Sequence, residues 1–138
     1  MKDPGKNIRK AFYTALVGLG YPVVDEMTDD ESLTNYIILS TQTEEDISTK
    51  NTFDTSGTIL IDIVTKQYNT NTKDTADDIA DLVLDAIKPN TNSTLTDSYG
   101  EFQITNIKRI SANTLTLPTQ TGYLIRKLLR FSFRIVQL

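Results

Sequence analysis

The sequence predicts an α+β domain in which two helices pack on a mainly antiparallel sheet. The expected order is α-β-β-β-α-β-β, with a long arm between the second and third strands. Three observations carry this. Two segments, 8–19 and 76–87, repeat apolar residues at helical spacing. The remaining apolar stretches are short, rich in β-branched and aromatic residues, and bounded by polar turn-forming runs, as strands are. The 138 residues suit a single domain, 1–138, without internal repeats. A chain of this size buries roughly two-thirds of the surface its unfolded form exposes, enough for a core without staples.

The elements follow in order. Asp3 can cap the first helix and Pro4 suits its first turn, after which Ile8, Ala11, Phe12, Ala15, Leu16 and Leu19 form one stripe. Gly18 and Gly20 mark its end. "YPVVDEM" gives a short extended piece, "MTDDESLT" an acidic loop, and "NYIILSTQT" a strand led by Tyr36, Ile37, Ile38 and Leu39. The stretch "EEDISTKNTFDTSG" is too polar for a core element. It is expected to protrude as a hairpin arm or loop, centred on Glu44, Glu45 and Asp46, which a neighbouring subunit orders. "TILIDIVTKQ" reads as a central strand, with Ile59, Ile61 and Ile63 on one face and Leu60, Asp62 and Val64 on the other.

In the second helix Thr75 and Asp78 have capping-box spacing, and Asp77 and Asp78 sit where the helix dipole favours negative charge. Ile79, Leu82, Val83, Ala86 and Ile87 are its expected buried stripe, and Pro89 ends it. A polar loop, "NTNSTLTDSYG", leads to two long closing strands. The apolar phase of the first shifts between Phe102/Ile104 and Ile107, which predicts a bulge near Thr105 and Asn106. Phe12, Leu16, Ile61, Ile79, Val83, Phe131 and Phe133 are expected to share one core.

Composition narrows the chemistry. The chain has no cysteine and no histidine, so thiolate ligands, disulfides, imidazole ligands and the usual general base are all missing. Eighteen acidic and fourteen basic residues give a net charge of −4, unlike the basic footprint of a free-standing nucleic-acid binder. The N-terminus does not read as a signal peptide, and no stretch approaches the roughly 20 apolar residues of a membrane span. Glycine-rich phosphate loops are absent. Asp74, Asp78, Asp81 and Asp85 lie along one side of the second helix beside Asp77, but a row on successive turns points outward rather than converging on a cation. The expectation is a protein that is not an enzyme and takes no cofactor or metal.

The last strand holds the most ordered signal. Ile125, Leu129, Phe131, Phe133 and Ile135 alternate with Arg126, Arg130, Ser132 and Arg134, and Lys127 breaks the apolar face near the start. One reading is a solvated polar side of a half-exposed strand. The other is a subunit interface, where Arg126, Arg130 and Arg134 meet Asp77, Asp81 and Asp85 of a neighbour.

The order of elements, together with particular stretches, resembles the tail terminator or tail completion proteins of tailed bacteriophages. The stretches are "AFYTALVGLG" in the first helix, Val23, Val24 and Asp25 after it, "YIILS", "SGTILIDIV", and the Ala76, Ile79, Ala80, Val83 pattern of the second helix. Asn35 stands where that family often has proline, and Ser40 where it often has glycine. The resemblance implies a virion protein of the neck or tail, assembled in the host cytoplasm. It implies a homo-oligomeric ring of roughly six or twelve copies. Such a ring caps the tail tube and joins it to the head connector, with genomic DNA passing through without sequence-specific binding and no membrane involved. Related rings lie beneath the portal of short-tailed phages. A conduit lets DNA slide, whereas rings of luminal arginines would grip phosphates. The arginine face is therefore expected at a subunit or ring-to-ring contact. The competing reading is a stand-alone α/β module that binds a small ligand or protein.

Overall fold

The computed structural model describes residues 2–26, 33–68, 72–97 and 99–138, and most of the acidic loop expected at 27–34 lies outside them. The elements are α1 (Gly5–Val17), β1 (Val23–Val24), β2 (Asn35–Asp46), β3 (Asp54–Gln67), α2 (Asp74–Ile87), β4 (Leu95–Thr96), β5 (Phe102–Pro118) and β6 (Tyr123–Gln137). The strands form one six-stranded sheet in the order β1-β2-β3-β6-β5-β4. Its pairs are antiparallel except β1 with β2, so the α+β class stands with a mixed sheet. The order differs from expectation by β4, two residues inside the polar loop, which pair with Gln103 and Ile104. Two residues carry no periodicity, so nothing in the loop's composition announced them.

Both helices lie on one face of the sheet. Ile8, Phe12 and Leu16 of α1 and Ile79, Val83 and Ile87 of α2 join Ile59, Ile61, Ile63, Leu129, Phe131, Phe133 and Ile135 in one buried cluster. All seven residues expected in a common core belong to it. β3 is third of six strands and buried along most of its length, as its run of isoleucines requires. On the opposite face Tyr36, Ile38 and Val64 form a second, smaller cluster against Val24, Leu33 and Leu124.

The helix ends depart in detail. Asp3 accepts the Gly5 N–H at 3.0 Å, although the cap position itself is Pro4. No capping box forms at Thr75, which lies inside α2; Thr72 Oγ1 accepts the Asp74 N–H at 3.2 Å instead. The Thr72 N–H in turn donates to Gln67 Oε1 at 2.8 Å, tying the helix start to the end of β3. Leu82, expected in the buried stripe, is 44% exposed. It lies about 100° round the helix from Val83, past the edge of the contact.

The arm is largely sheet. Glu44, Glu45 and Asp46 pair with Gly57, Ser56 and Thr55, so only residues 47–53 form the turn. Even there the Gln137 N–H donates to Phe53 O at 3.1 Å. Gly57 is needed here: a Cβ would lie 2.7 Å from Thr43 O and 2.9 Å from the Phe133 ring, which packs over it. The expected bulge in β5 is present as register shifts at Thr105/Lys108 and Arg109/Ser111, with Asn106 at φ 53°.

Candidate assembly surfaces

The helix-free face of the sheet carries the arginine row, and β3 supplies partners for two of its three members. Arg126 lies opposite Val64 and Arg134 opposite Ser56 in the antiparallel register. Each reaches diagonally to the acid two positions away. Arg126 Nε donates to Asp62 Oδ2 at 3.0 Å, Nη2 donates to the same oxygen, and Arg134 Nη2 donates to Asp54 Oδ2. The bond from Arg126 to Asp62 is the main cause that raises the guanidinium pKa further, against desolvation. Arg130 lies opposite Leu60, and its diagonal position is Thr58, whose hydroxyl bonds Thr43 at 2.6 Å. Arg130 therefore forms no ion pair among the described residues.

Both acids are buried, at 1% exposure, while the arginines reach water. A buried carboxylate is costly unless paired, so the chain itself requires Arg126 and Arg134 where they stand. The unused oxygen of each, Oδ1, makes no hydrogen bond among the described residues. The expectation that all three arginines turn to a neighbour's acids meets these intrachain pairs. Asp54, Thr58 and Asp62 stand in β3 at the same intervals as Arg134, Arg130 and Arg126 in β6, a match that only the β3–β6 register reveals.

The acids of α2 lie on the other side of the sheet. Asp77 accepts a hydrogen bond from Lys127 Nζ at 2.7 Å, which shows how that lysine leaves the apolar face. Asp81 and Asp85 are exposed and form no ion pair among the described residues. Within one subunit the arginine row and these aspartates do not meet. At the end of β2, burial and the nearby Asp3 carboxyl raise the pKa of Glu44, whereas hydrogen bonds from Ser48 lower that of Asp46.

One surface was not anticipated. Lys6, Arg9, Lys10 and Tyr13 on the outer flank of α1 line an open cleft of about 510 Å³ with Val23, Val24 and Asp25. Arg9 Nη1 donates to Gln42 Oε1 at 3.3 Å, and its Nε lies 3.9 Å from Asp25 Oδ2. Lys6, Lys10 and Tyr13 at helical spacing were the available sign. Among the described residues no cluster of three or more acids has the geometry of a metal site, and no helix is long and apolar enough to cross a membrane.

No protein-family profile matches the chain, and neither does any curated protein. Its fold does match a chain from the virion of a native gene transfer agent particle. That likeness has a TM-score of 0.76 and 19% identity, and it covers 100% of both chains. The two chains share a fold over their full lengths.

Proposed function

We propose that this protein is a structural component of a phage-like virion. It forms a ring at the head-tail junction or tail end, caps the tail tube, and joins it to the head connector with DNA passing through. The observation that carries the reading is the full-length fold likeness to a virion chain, with neither chain left uncovered. The resemblance of the sequence to tail terminators supplies the position in the particle, and the role is assembly rather than catalysis.

The arginine face fits such a role better than a luminal one that grips DNA. Three arginines against Asp54 and Asp62 leave one net positive charge per copy in this row, carried by Arg130. That charge is available to a ring-to-ring or tail-tube contact, where partial neutralisation favours register over tight binding. Asp77, Asp81 and Asp85 serve a contact between copies, and the β2–β3 hairpin with Glu44, Glu45 and Asp46 is ordered further by a neighbour.

Deletion of the gene tests the role. All other particle components are made, but joining fails: a long-tailed particle shows tails of uncontrolled length and unattached heads, and a short-tailed one leaks DNA. Electron microscopy of lysates reads the outcome. Normal, infectious, fully joined particles would sink the structural reading and favour a stand-alone binding module.

A further inference from the structure

The two lateral sides of the molecule carry opposite charges in both layers, at matching heights. In the helix layer, the α1 flank with Arg9 and Lys10 lies on the β1/β2 side, since Arg9 reaches Gln42 and Val23 and Val24 line the cleft. Lys6 lines that cleft from the start of α1, with its Nζ 5.8 Å from the centre of the Tyr99 ring, just after β4. The α2 flank lies on the β5 side, since Asp77 holds Lys127 of β6, and Lys88 Nζ, near the other end, donates to Ile107 O of β5 at 2.7 Å. Asp81 and Asp85 continue the Asp77 row at successive turns along that flank. In the sheet layer the signs reverse: Glu44 and Glu45 stand on the β2 edge, Lys108 and Arg109 on the β5 edge, all exposed.

The ladders give the heights. Gln42, Ile59, Phe131 and Arg109 form one row across the sheet, and Thr43, Thr58, Ser132 and Lys108 the next. Arg109 shares the helix side with Phe131, and Glu44, beside Asp3 at the start of α1, is on that side too. Lys108 shares the open side with Ser132, and Glu45, opposite Ser56, shares that side. Across a junction of edges, each base therefore lies two residues from an acid on its own side, the diagonal spacing that joins Arg126 to Asp62. Lower down, Val23, Ile37, Ile63 and Lys127 form a row, which sets Asp77 level with the floor of the α1 cleft.

We propose that a second copy of this chain docks the acidic α2 flank, with Asp81 and Asp85, into the Lys6/Arg9/Lys10 cleft, while the Lys108/Arg109 edge meets the Glu44/Glu45 edge. This deepens the ring reading and rests on it. Because the complementary groups lie at equal heights, a rotation about an axis along the strands brings them together without a slide. Head-to-tail contacts of that kind close into a ring rather than an open filament. Among the described residues, β1 covers β2 only at Ile37 and Ile38, and β4 covers β5 only at Gln103 and Ile104, so no described strand pairs with either edge where the charges stand.

The cysteine-free chain makes the test clean. Lys10→Cys and Asp81→Cys are introduced singly and together, and concentrated protein and purified particles are oxidised. The double variant is expected to give a ladder of linked species, the mixed single variants only dimers, and each single variant alone none. Loss of the ladder in both settings, or a Lys10→Cys dimer by itself, overturns the contact. A second arm uses charge. Lys6→Glu/Lys10→Glu and Asp81→Lys/Asp85→Lys each lose joined particles while the subunits stay folded by circular dichroism, and co-expression restores them by alternating the two kinds. Failure to restore overturns the contact; rings of the Lys10→Cys/Asp81→Cys variant that form without the cross-link overturn it while leaving the ring reading intact. Normal particles in the deletion overturn the ring reading itself.

Discussion

Asp62 and Asp54 set the terms at the scale of single residues. Each is buried beneath an arginine of β6, so removing one partner leaves an uncompensated charge in the sheet. Arg126→Ala is expected to destabilise the subunit by about 3 kcal/mol. Arg134→Ala costs less, because the Arg134 side chain is 46% exposed and water screens the pair. Arg130→Ala, with no ionic partner among the described residues, stays within about 0.5 kcal/mol in denaturant unfolding. Equal losses at all three positions would contradict the intrachain pairing. The spacing of the arginines was legible, because a strand repeats every two residues. Their partners were not, because Asp54 and Asp62 lie 80 and 64 residues away and only the register of β3 with β6 brings them close.

Elements were legible where a long period repeats and illegible where two or three residues decide. α1, α2, β3 and β6 follow from their stripes, and Phe131 at the centre of β6 is fully buried. Phe131→Ala is therefore expected to cost about 3–5 kcal/mol, and a loss below about 1 kcal/mol would place the alternation on the wrong face. β4 and the start of α2 depend instead on local hydrogen bonds. Asp97, just after β4, shows the type: its Oδ1 accepts the N–H groups of Tyr99 and Glu101 at 2.8 and 3.1 Å, and Oδ2 accepts Asn7 Nδ2 at 2.7 Å. Burial pushes its pKa up, but the bonds from Asn7, Glu101, Tyr99 and Gly100 outweigh it and hold the pKa below the usual value. A depressed pKa in the folded state gives stability that is present above the unfolded value of 3.8 and is lost as pH falls through the folded one. Asp97→Asn should cost about 1–3 kcal/mol at neutral pH. It should also shrink the stability difference between pH 6 and pH 3, read from unfolding midpoints at both. An unchanged difference would remove Asp97 from the account of acid sensitivity.

The whole molecule is a sheet with a well-held centre and two incompletely covered edges, and this contrast decides how assembly would be seen. β3 and β6 are hydrogen-bonded on both sides along nearly their full lengths. By contrast, among the described residues β2 beyond Ile38 and β5 beyond Ile104 have a strand on one side only. Amides on an outer edge exchange with water through local openings, whereas those of central strands need larger ones. Edges of this kind are usually blunted by charge or bulges, and β5 has both only as far as Ser111; Ala112–Leu117 is regular and uncharged, with Leu115 and Leu117 exposed. In the free subunit, outward amides of 43–46 and 105–117 should therefore exchange fast while β3 and β6 stay protected. In assembled particles, protection should rise on both edges together, because one head-to-tail contact uses one edge from each of two copies. Protection on β5 alone would indicate a different partner strand and not a second copy. Equal exchange in free and assembled protein at 43–46 would remove the case for the β2–β3 hairpin in assembly. Hydrogen exchange measured on peptides from both states separates these outcomes without any substitution, and it does not depend on whether the isolated subunit is monomeric.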